Sequence, residues 1–427
     1  MNIEKIHQLF LKFQTVCTDT RKIEPNCIFF CLKGDNFDAN SFAEEALNKG
    51  AAFVIIDNAK FYQDEKTILV TDVLKTLQEL ANFHRNFLEL PIIALTGSNG
   101  KTTSKELIQV VLSKKFTAKA TIGNLNNHIG VPLTLLSFDE STEIGIVEMG
   151  ANHQKEIEFL CKIAQPDYGY ITNFGKAHLE GFGGVEGVIK GKSELYDFLK
   201  DHKKMAFVNL DDDIQKNKTA KIKRYTFSNK DKNANIILPT IESDEFAKTK
   251  LENLIITSNL VGNYNVTNIN AAITIGKYFE IDNIFIKEAI EEYVPSNNRS
   301  QLIQLKGNEI ILDCYNANPS SMQVAIDNFL SLNKKNKWLI LGDMFELGEE
   351  SVKEHAQIVN LLKNIGNHQV SFIGERFFEH QIEAKNLHFY KSYDEFASSS
   401  KNKNIQNKCL LIKGSRGMAL ERILNLI

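Results

Sequence analysis

The chain has 427 residues, of which 43 % are hydrophobic and 24 % are charged, and its formal net charge is −3. This length exceeds one ordinary hydrophobic core and predicts a globular protein of two to four domains. The nearly balanced charge argues against a general nucleic-acid binder or an anionic-membrane binder, because both use a basic face.

The first region, residues 1–85, alternates short β-rich runs with helical pieces. Strands are predicted at CIFFCL, AAFVIID and KTILVTD, and a helix at SFAEEALNKG. This alternation predicts a small N-terminal α/β domain.

The second region, residues 86–296, contains strand-like runs that are each followed by a helix-compatible or loop segment. These runs are PIIALT, EIGIVEM, PDYGYITN and KMAFVNL. The pattern favours a parallel, doubly wound sheet. A Lys/Asn-rich stretch at 214–234 is expected at the surface, and the turn-prone SNNRS at 296–300 is expected to be a linker.

The third region, residues 297–427, restarts the alternation with a second, Rossmann-like set of strands. The predicted strands are NEIILDCY, KWLILGD, QVSFIGE and KCLLIKG. In NANPSSMQVAIDNFL, Asn318 can cap a helix and Pro319 suits its first turn. The sequence thus predicts an α/β protein of three domains.

The sequence shows no feature of a membrane or secreted protein. No apolar run approaches the ~20 residues of a membrane-spanning helix. The N-terminal segment MNIEKIHQLFLKFQ lacks a small-residue cleavage site. Six cysteines without CxxC pairing favour reduced packing residues over disulfides or zinc ligands. We therefore expect a soluble, cytoplasmic protein.

The segment LTGSNGKTTSKELI, residues 95–108, joins a predicted buried strand to a predicted amphipathic helix. Its glycine N–H groups and the helix N-terminus form a natural anion site. Lys101 can neutralise nucleotide phosphates, and the Thr102 hydroxyl can ligate Mg²⁺. Only two residues separate Gly97 from Gly100, unlike the general GxxxxGK[ST] pattern. The loop is compatible with a GTPase, a kinase or an ATP-driven ligase, and no NKxD motif supports a GTPase.

Two further residues follow neighbouring predicted strands and are expected at the same sheet edge. Glu148 ends EIGIVEM, and His178 lies shortly after PDYGYITN. A carboxylate and an imidazole beside a triphosphate can hold divalent ions. The alternatives are a solvated strand end for Glu148 and a hydrogen-bonded loop residue for His178. Lys192 by itself resembles any surface lysine.

These motifs resemble the Mur ligases, the ATP-dependent amide-forming enzymes of bacterial cell-wall precursor synthesis. The resemblance extends along nearly the whole chain through TGSNGKTT, TDTRKIEPNCIFFCLKGDNFDAN, GNLNNHIGVPLTLL, VEMGANHQKEI, ITNFGKAHLEGFGGVEGVIKGKSELY, GNYNVTNINAA, LDCYNANPSSM, LGDMFELG and IKGSRGMALERIL. YNANP and LGDMFELG resemble the member that adds a terminal dipeptide, and the DNPR motif of the member that adds the third amino acid is absent.

The resemblance implies a UDP-binding N-terminal domain, a central ATPase domain of phosphate-loop type and a C-terminal Rossmann-like domain. It implies the following ATP-binding residues: Gly97, Ser98, Asn99, Gly100, Lys101, Thr102, Thr103, Asn265, Asn268, Arg299 and Asp313. It implies the following Mg²⁺ ligands: Thr102, Glu148, His178 and Lys192. Lys101, Glu148, His178 and Lys192 would form the catalytic set. Lys192 matches a lysine that is commonly carbamylated, with Lys190 as a rival.

The resemblance also implies residues that contact the substrates. Thr20 and Arg21 would lie near the uridine diphosphate, and Asn126 and Asn127 near the sugar-peptide. The dipeptide site would be bordered by Asn316, Asn318, Lys413, Ser415 and Arg416. The sequence departs from the family pattern at Tyr264 (usually His), Leu312 (often Asp) and Ala39-Asn40 (often Gly-His).

The implied reaction joins D-alanyl-D-alanine to UDP-N-acetylmuramoyl-tripeptide at the expense of ATP and with Mg²⁺. We expect a monomer with no nucleic-acid partner, and closure of its C-terminal domain over the ATP site. Two alternatives remain: another ADP-forming ligase, of the Mur or folylpolyglutamate synthase type, and a nucleotide-binding switch without synthetic activity.

Overall fold

A computed structural model describes residues 2–243, 245–296, 298–363, 365–366, 368–400 and 405–427. Within these ranges the chain forms three α/β domains, one after another along the sequence. No helix among these residues has the length and apolar character needed to cross a membrane. The cysteines, all in the described ranges, are free and buried, as the sequence predicts.

The N-terminal domain is built on a small parallel sheet in the order β1-β2-β5-β6, with β3 and β4 forming a separate hairpin. Its strands are β1 (Val16–Cys17), β2 (Ile28–Phe30), β3 (Lys33–Gly34), β4 (Phe37–Asp38), β5 (Phe53–Ile56) and β6 (Thr67–Leu69). Its helices are α1 (Ile3–Phe13), α2 (Ala43–Asn48) and α3 (Val73–Leu88).

The central domain combines a parallel sheet with a small antiparallel one. The strands are β7 (Ile92–Thr96), β8 (Ala118–Ala120), β9 (Ile144–Glu148), β10 (Tyr168–Ile171), β11 (Met205–Asn209), β12 (Lys223–Ser228), β13 (Ile236–Ile237), β14 (Thr240–Ile241), β15 (Phe246–Leu251) and β16 (Leu254–Val261). The helices are α4 (Lys101–Leu112), α5 (Gly130–Leu136), α6 (Glu156–Ala164), α7 (Leu179–Phe182), α8 (Val185–Asp201), α9 (Asp213–Lys218), α10 (Val266–Tyr278) and α11 (Asn283–Glu292). The parallel order is β13-β12-β11-β10-β7-β9-β8, and β14-β15-β16 are antiparallel.

The C-terminal domain has a mostly parallel sheet in the order β17-β18-β22-β19-β20-β21. Its strands are β17 (Gln301–Leu305), β18 (Asn308–Asp313), β19 (Lys337–Gly342), β20 (Gln369–Ile373), β21 (Leu387–Tyr390) and β22 (Cys409–Lys413). Its helices are α12 (Pro319–Ser331), α13 (Ser351–Leu362), α14 (Glu375–Phe378) and α15 (Tyr393–Ser400).

The sequence predictions of strands are confirmed, and α12 begins at Pro319 with Asn318 as its cap. One expectation is refined, and one edge strand of the C-terminal sheet lies outside those predicted. The 214–234 stretch is not simply surface, because it contributes α9 and β12, and Phe227 packs into the central core. The edge strand β17 is antiparallel to β18. We propose 1–85, 86–296 and 297–427 as the domain boundaries, with Asn297 of the predicted linker outside the described residues.

The topology of the central sheet explains where its loops meet. The chain leaves β7 toward β8 and β9 on one side, and later fills the other side with β10 and β11. The carboxyl ends of strands at such a reversal form a crevice that binds ligands in open α/β sheets. The loops after β7, β9 and β10 therefore converge at one edge.

A buried histidine pair joins helices α1 and α3. His7 Nε2 and His84 Nδ1 lie 3.1 Å apart, and His84 Nε2 lies 2.9 Å from the Phe138 carbonyl oxygen. Burial and the neighbouring His84 lower the pKa of His7 to about 4, and burial also lowers the pKa of His84. Since unfolded histidine titrates near 6.5, the unfolded chain binds more protons between these values. The stability that the neutral pair provides is present above about pH 6.5 and is lost as the pH falls toward 4.

We expect His7→Gln to reduce the pH dependence of stability while keeping a hydrogen-bonding amide beside His84. Between pH 7.5 and pH 5, the loss of unfolding free energy should be smaller than in the native protein by roughly 1–2 kcal/mol. Urea unfolding at several pH values measures this loss. His128→Gln, at an exposed histidine, is the matched control. Equal pH profiles for the native protein and His7→Gln would contradict the expectation.

Candidate functional site

The loop between β7 and α4 requires glycine at two positions. Gly97 has φ +143° and Gly100 has φ +78°, both in the left-handed region. A Cβ atom on Gly97 would lie 1.9 Å from Oγ1 of Thr172, and one on Gly100 would lie 2.6 Å from Oδ1 of Asn268. A larger residue at Gly97 or Gly100 would therefore clash with its neighbour and would also strain the backbone. The loop ends at Lys101, the first residue of α4, as the sequence predicts.

Lys101 folds back over its own loop and lies near both Glu148 and Arg299. Its Nζ atom donates to the carbonyl oxygens of Gly97 at 2.8 Å and Ser98 at 3.4 Å. Burial lowers the pKa of Lys101, and Arg299 acts in the same direction, whereas Glu148 opposes the shift. Two cations near a helix N-terminus favour an anionic ligand in the loop.

Glu148 lies at the end of β9 and is almost completely buried. One of its carboxylate oxygens accepts from the Thr102 hydroxyl at 2.9 Å, and the other accepts from the Asn126 side-chain amide at 2.8 Å. Thr102 and Glu148, expected near the phosphates, and Asn126, expected near the sugar-peptide, thus share one oxygen-rich cluster. Asn127, beside it, is exposed, and its side-chain oxygen accepts from the backbone N–H groups of Ile129 and Gly130.

His178 stands just before α7, with left-handed backbone (φ +53°). Its Nδ1 atom pairs with the Glu346 carboxylate of the C-terminal domain, and this contact lowers the pKa of Glu346. The structure places His178 at the edge of the same cavity as Glu148. His178 thus lies at the cavity, as predicted, and it also contacts Glu346, a partner that the sequence did not reveal.

Lys192, on α8, has a fully buried side chain, whereas its rival Lys190 is exposed. Nζ of Lys192 donates to the Ala151 carbonyl oxygen at 3.0 Å and lies 5.0 Å from the centre of the Phe182 ring. Burial, with a smaller contribution from Lys101, lowers the pKa of Lys192 well below its ordinary value. Its environment therefore favours a neutral amine.

The residues expected at the adenine end lie where β16 leads into α10. Asn268 donates to Asn265 Oδ1 at 3.0 Å and accepts from the Ser104 hydroxyl at 3.0 Å. Tyr264, beside them, shares a hydrogen bond of 2.7 Å with the Ser300 hydroxyl, and burial raises its pKa. Ser300 belongs to the C-terminal region, so this end of the site already joins two domains.

Arg299 and Asp313 extend the site from the C-terminal domain. The Arg299 guanidinium lies 3.7 Å from the centre of the Tyr315 ring. Its Nε atom is buried and has no hydrogen-bond partner among the described residues, which suits a ligand acceptor. Asp313 accepts from Lys413 Nζ at 2.6 Å and from the Ser300 backbone at 3.2 Å. A cation and a carboxylate are thus held at fixed positions.

Asn318 caps a helix, as the sequence predicts, and it also makes a contact that the sequence did not predict. Its side-chain oxygen accepts from the Ser321 backbone at 2.9 Å, which caps α12. Its side-chain N–H₂ donates to Asn99 Oδ1 at 2.7 Å, which connects the C-terminal domain to the phosphate loop. Asn316 lies nearby, and its side-chain oxygen accepts from the backbone N–H of Ala317.

These loops enclose a cavity of about 1370 Å³. The predicted residues that line it are Ser98, Asn99, Gly100, Lys101, Thr102, Thr103, Asn126, Asn127, Glu148, His178, Asn265, Asn268, Arg299, Asp313, Asn316, Asn318 and Lys413. The predicted residues that do not line it are Thr20, Arg21, Gly97, Lys192, Ser415 and Arg416.

The predicted substrate residues outside the cavity make contacts of their own. Arg21 is exposed and pairs with Asp19 in a two-pronged contact of 2.7 and 2.9 Å. Arg416 is exposed and contacts Glu421, while Ser415 accepts from the Phe345 backbone. Such partners stabilise local turns, and the side chains of Arg21 and Arg416 remain accessible from solvent.

Comparison with known proteins agrees with this geometry. The chain matches the Mur ligase family, catalytic domain, over residues 12–85, the Mur ligase middle domain over 95–276, and the Mur ligase, glutamate ligase domain, over 298–416. It is 35 % identical to the UDP-N-acetylmuramoyl-tripeptide–D-alanyl-D-alanine ligase of Bacillus subtilis (strain 168), covering 96 % of this chain and 92 % of the relative. It is 33 % identical to the enzyme of the same name from Escherichia coli (strain K12), covering 97 % and 93 %.

Solved structures are similar over the same length. A crystal structure of MurF from Acinetobacter baumannii has a TM-score of 0.85 at 28 % identity, covering 98 % of this chain and 97 % of that one. MurF ligase from Thermotoga maritima in complex with ADP has a TM-score of 0.83 at 27 % identity, covering 97 % of each. The chain belongs to the Mur ligase family. Within that family it groups with the UDP-N-acetylmuramoyl-tripeptide–D-alanyl-D-alanine ligases.

The two tasks of Asn318 can be separated by mutation. Asn318→Ala removes the helix cap and should lower the free energy of unfolding by ~1 kcal/mol, whereas Asn318→Ser keeps a capping oxygen. Both variants lose the contact with Asn99, so both should bind a non-hydrolysable ATP analogue about tenfold more weakly. Urea unfolding and titration calorimetry measure the two effects. Native affinity in Asn318→Ser would contradict a role for the Asn99 contact.

Proposed function

We propose that the chain is an ADP-forming ligase that joins D-alanyl-D-alanine to UDP-N-acetylmuramoyl-tripeptide. The product is UDP-N-acetylmuramoyl-pentapeptide for peptidoglycan synthesis. The observation that carries the proposal is the cavity itself, in which a glycine-rich phosphate loop faces Arg299, Asp313 and Asn318 of a second domain. The full-length similarity to ligases of this specificity supports the choice of substrates.

The chemistry activates a carboxylate that would otherwise not react with an amine in water. An oxygen of the tripeptide carboxylate attacks the γ-phosphorus of ATP, the bond to the β,γ-bridging oxygen breaks, and ADP leaves. The amine of D-alanyl-D-alanine then attacks the acyl carbon, the acyl–oxygen bond breaks, and phosphate and a proton are released. Lys101 and Arg299 oppose the negative charge of the transferring phosphoryl group. Enclosure between two domains protects the acyl phosphate from water.

The oxygen cluster around Glu148 fits Mg²⁺. Among the described residues no group of three or more histidine, cysteine or acidic side chains forms a complete metal cage. Mg²⁺ usually needs no such cage, because it binds one or two carboxylates, substrate phosphates and water. Thr102, Glu148 and His178 would hold the ion, and it would supply positive charge to the phosphates of ATP.

The burial of Lys192 supports its assignment as the carbamylated lysine. CO₂ reacts with a neutral amine, forms an N–C bond, and releases one proton, so a lowered amine pKa favours the reaction. The resulting anion would relieve the repulsion between Lys192 and Lys101, and it could serve as a further Mg²⁺ ligand. Exposed Lys190 has no comparable environment.

The remaining assignments concern the substrate ends and the state of the protein in the cell. Thr20 and Arg21 would contact the uridine diphosphate after Arg21 exchanges Asp19 for phosphate oxygens. The ends of the dipeptide would be bound by Asn316, Asn318, Lys413, Ser415 and Arg416. The protein would act as a monomer in the cytoplasm.

A phosphate-release assay tests the proposed reaction. Phosphate should appear only when ATP, UDP-linked tripeptide and D-alanyl-D-alanine are all present, and in equal amount to the pentapeptide detected by mass spectrometry. Release that is independent of the dipeptide would indicate a switch-type NTPase instead. Parallel assays with lysine- and diaminopimelate-containing tripeptides define the third residue.

Lys101→Ala should reduce kcat by about 100-fold or more, because the developing phosphoryl charge loses its nearest ammonium group. Initial rates of pentapeptide formation at saturating ATP provide the measurement. Lys221→Ala, at an exposed lysine of the same domain, should retain the native rate. Native turnover by Lys101→Ala would rule out the proposed mechanism.

Lys192→Ala should abolish most turnover, and short carboxylates such as acetate should restore part of it by replacing the lost anion. Lys190→Ala, two residues away, should behave as the native protein and show no response to acetate. A crystal density map at the Lys192 side chain checks the modification directly. An active Lys192→Ala variant would exclude a role for the carbamate.

A further inference from the structure

The segment at 172–178, here called the bridging segment, contacts the phosphate loop on one side. The Ser98 hydroxyl donates to the Gly175 carbonyl oxygen at 2.7 Å, and the Asn99 backbone donates to Asn173 Oδ1 at 3.1 Å. The Thr172 hydroxyl donates a hydrogen bond of 2.6 Å to the Asn99 carbonyl oxygen. The conformation of the phosphate loop therefore depends on where this segment lies.

On its other side, the bridging segment contacts the C-terminal domain. The backbone N–H of Lys176 donates to the Ser320 hydroxyl at 2.9 Å, and its Nζ atom donates to the buried Glu354 at 2.6 Å. At the end of the segment, His178 pairs with Glu346. One short segment thus connects the domain that would close with the loop that would hold the nucleotide phosphates.

Glu346 lies in a loop at 343–348, here called the Glu346 loop, which is held rigidly by its own domain. The Met344 backbone donates to His355 Nε2 at 3.0 Å, and the Phe345 backbone donates to the Ser415 hydroxyl at 2.9 Å. Asp343 accepts from the backbone N–H groups of Arg376 and Phe377 in α14, at 3.0 Å each. These contacts of the three preceding residues fix the position from which Glu346 extends.

Both members of the interdomain pair have left-handed backbone although neither is glycine. His178 has φ +53° and Glu346 has φ +61°. Such conformations are uncommon for these residues and persist where the surrounding structure requires them, often at functional sites. Next to the pair, Gly348 packs against Glu180 so closely that a Cβ atom would lie 3.1 Å from its side chain. Unusual backbone conformations and close packing thus accompany the contact between His178 and Glu346.

We propose that Glu346 is a positioning residue that couples docking of the C-terminal domain to the geometry of the phosphate loop. It holds His178 through Nδ1 and thereby fixes the end of the bridging segment. A carboxylate that orients a functional imidazole in this way commonly contributes 10–100-fold to affinity or activity. The inference rests on the proposed ligase function, since docking matters only if ATP reacts between the domains.

The test compares Glu346→Ala and Glu346→Gln with Glu349→Ala, which removes an exposed carboxylate three residues away. Glu346→Ala should lower kcat by about 10–100-fold with a smaller change in the KM for the tripeptide substrate. Glu346→Gln should lie closer to the native rate, because its amide oxygen can still accept from His178. Glu349→Ala should match the native protein. Equal rates for Glu346→Ala and Glu349→Ala would overturn the proposal.

A second measurement does not depend on turnover. With a saturating non-hydrolysable ATP analogue, small-angle scattering should give a larger radius of gyration for Glu346→Ala than for the native protein and Glu349→Ala. An unchanged radius in Glu346→Ala overturns the coupling, whatever the rate. If the native protein had no ligase activity, the proposed function would fail, but the scattering comparison would still decide whether Glu346 governs docking.

Discussion

Concentrated positive charge at the carboxyl edge of the central sheet is the constraint on which the site depends. Lys101 and Arg299 approach from different domains, and their mutual repulsion adds to the burial that lowers the pKa of Lys101. Glu148 opposes the lowering of this pKa with a larger effect than that of Arg299. A polyphosphate adds negative charge beside both cations, so ligand binding and domain docking stabilise each other electrostatically. The division of the cations between domains thus links nucleotide binding to domain docking.

Much of the fold could be predicted from the sequence because apolar runs and loop motifs are local features. The helix α4 begins at Lys101 and α12 at Pro319, as capping and phosphate-loop chemistry require. The antiparallel strands β14, β15 and β16 lie outside the predicted strands, since β14 and β15 carry no strong apolar run and the run at 254–256 in β16 is short. Their stability comes from packing against α10 and α11, which is a tertiary effect.

The site was predictable where its chemistry lies on one motif, and less so where it depends on pairs far apart in sequence. Lys101, Thr102 and Glu148 occupy the positions that strand ends and the loop motif indicate. The contact of Glu346 with His178 joins residues 168 positions apart, and neither spacing nor composition reveals such a pair. Burial likewise distinguishes Lys192 from Lys190, although both lie on the same helix.

The departures from the family pattern become understandable once their positions on strands and turns are known. Side chains alternate between the two faces of a strand, so Leu312 and Asp313 on β18 point in opposite directions. Leu312 is buried in an apolar cluster, whereas Asp313 faces the cavity. The leucine therefore removes no charged group from the ATP side, and Asp313 with Lys413 is sufficient to form the local ion pair.

The change at Ala39-Asn40 follows a similar logic. The buried Asn40 amide donates to Asp38 and Asp57, and its oxygen accepts from the Asp57 backbone. Asp57 in turn pairs with Lys33 at 2.7 Å. An asparagine can satisfy these donors and acceptors together without a titrating ring. The N-terminal domain thus keeps an ordered charged network beside its sheet, with Asn40 as one of its members.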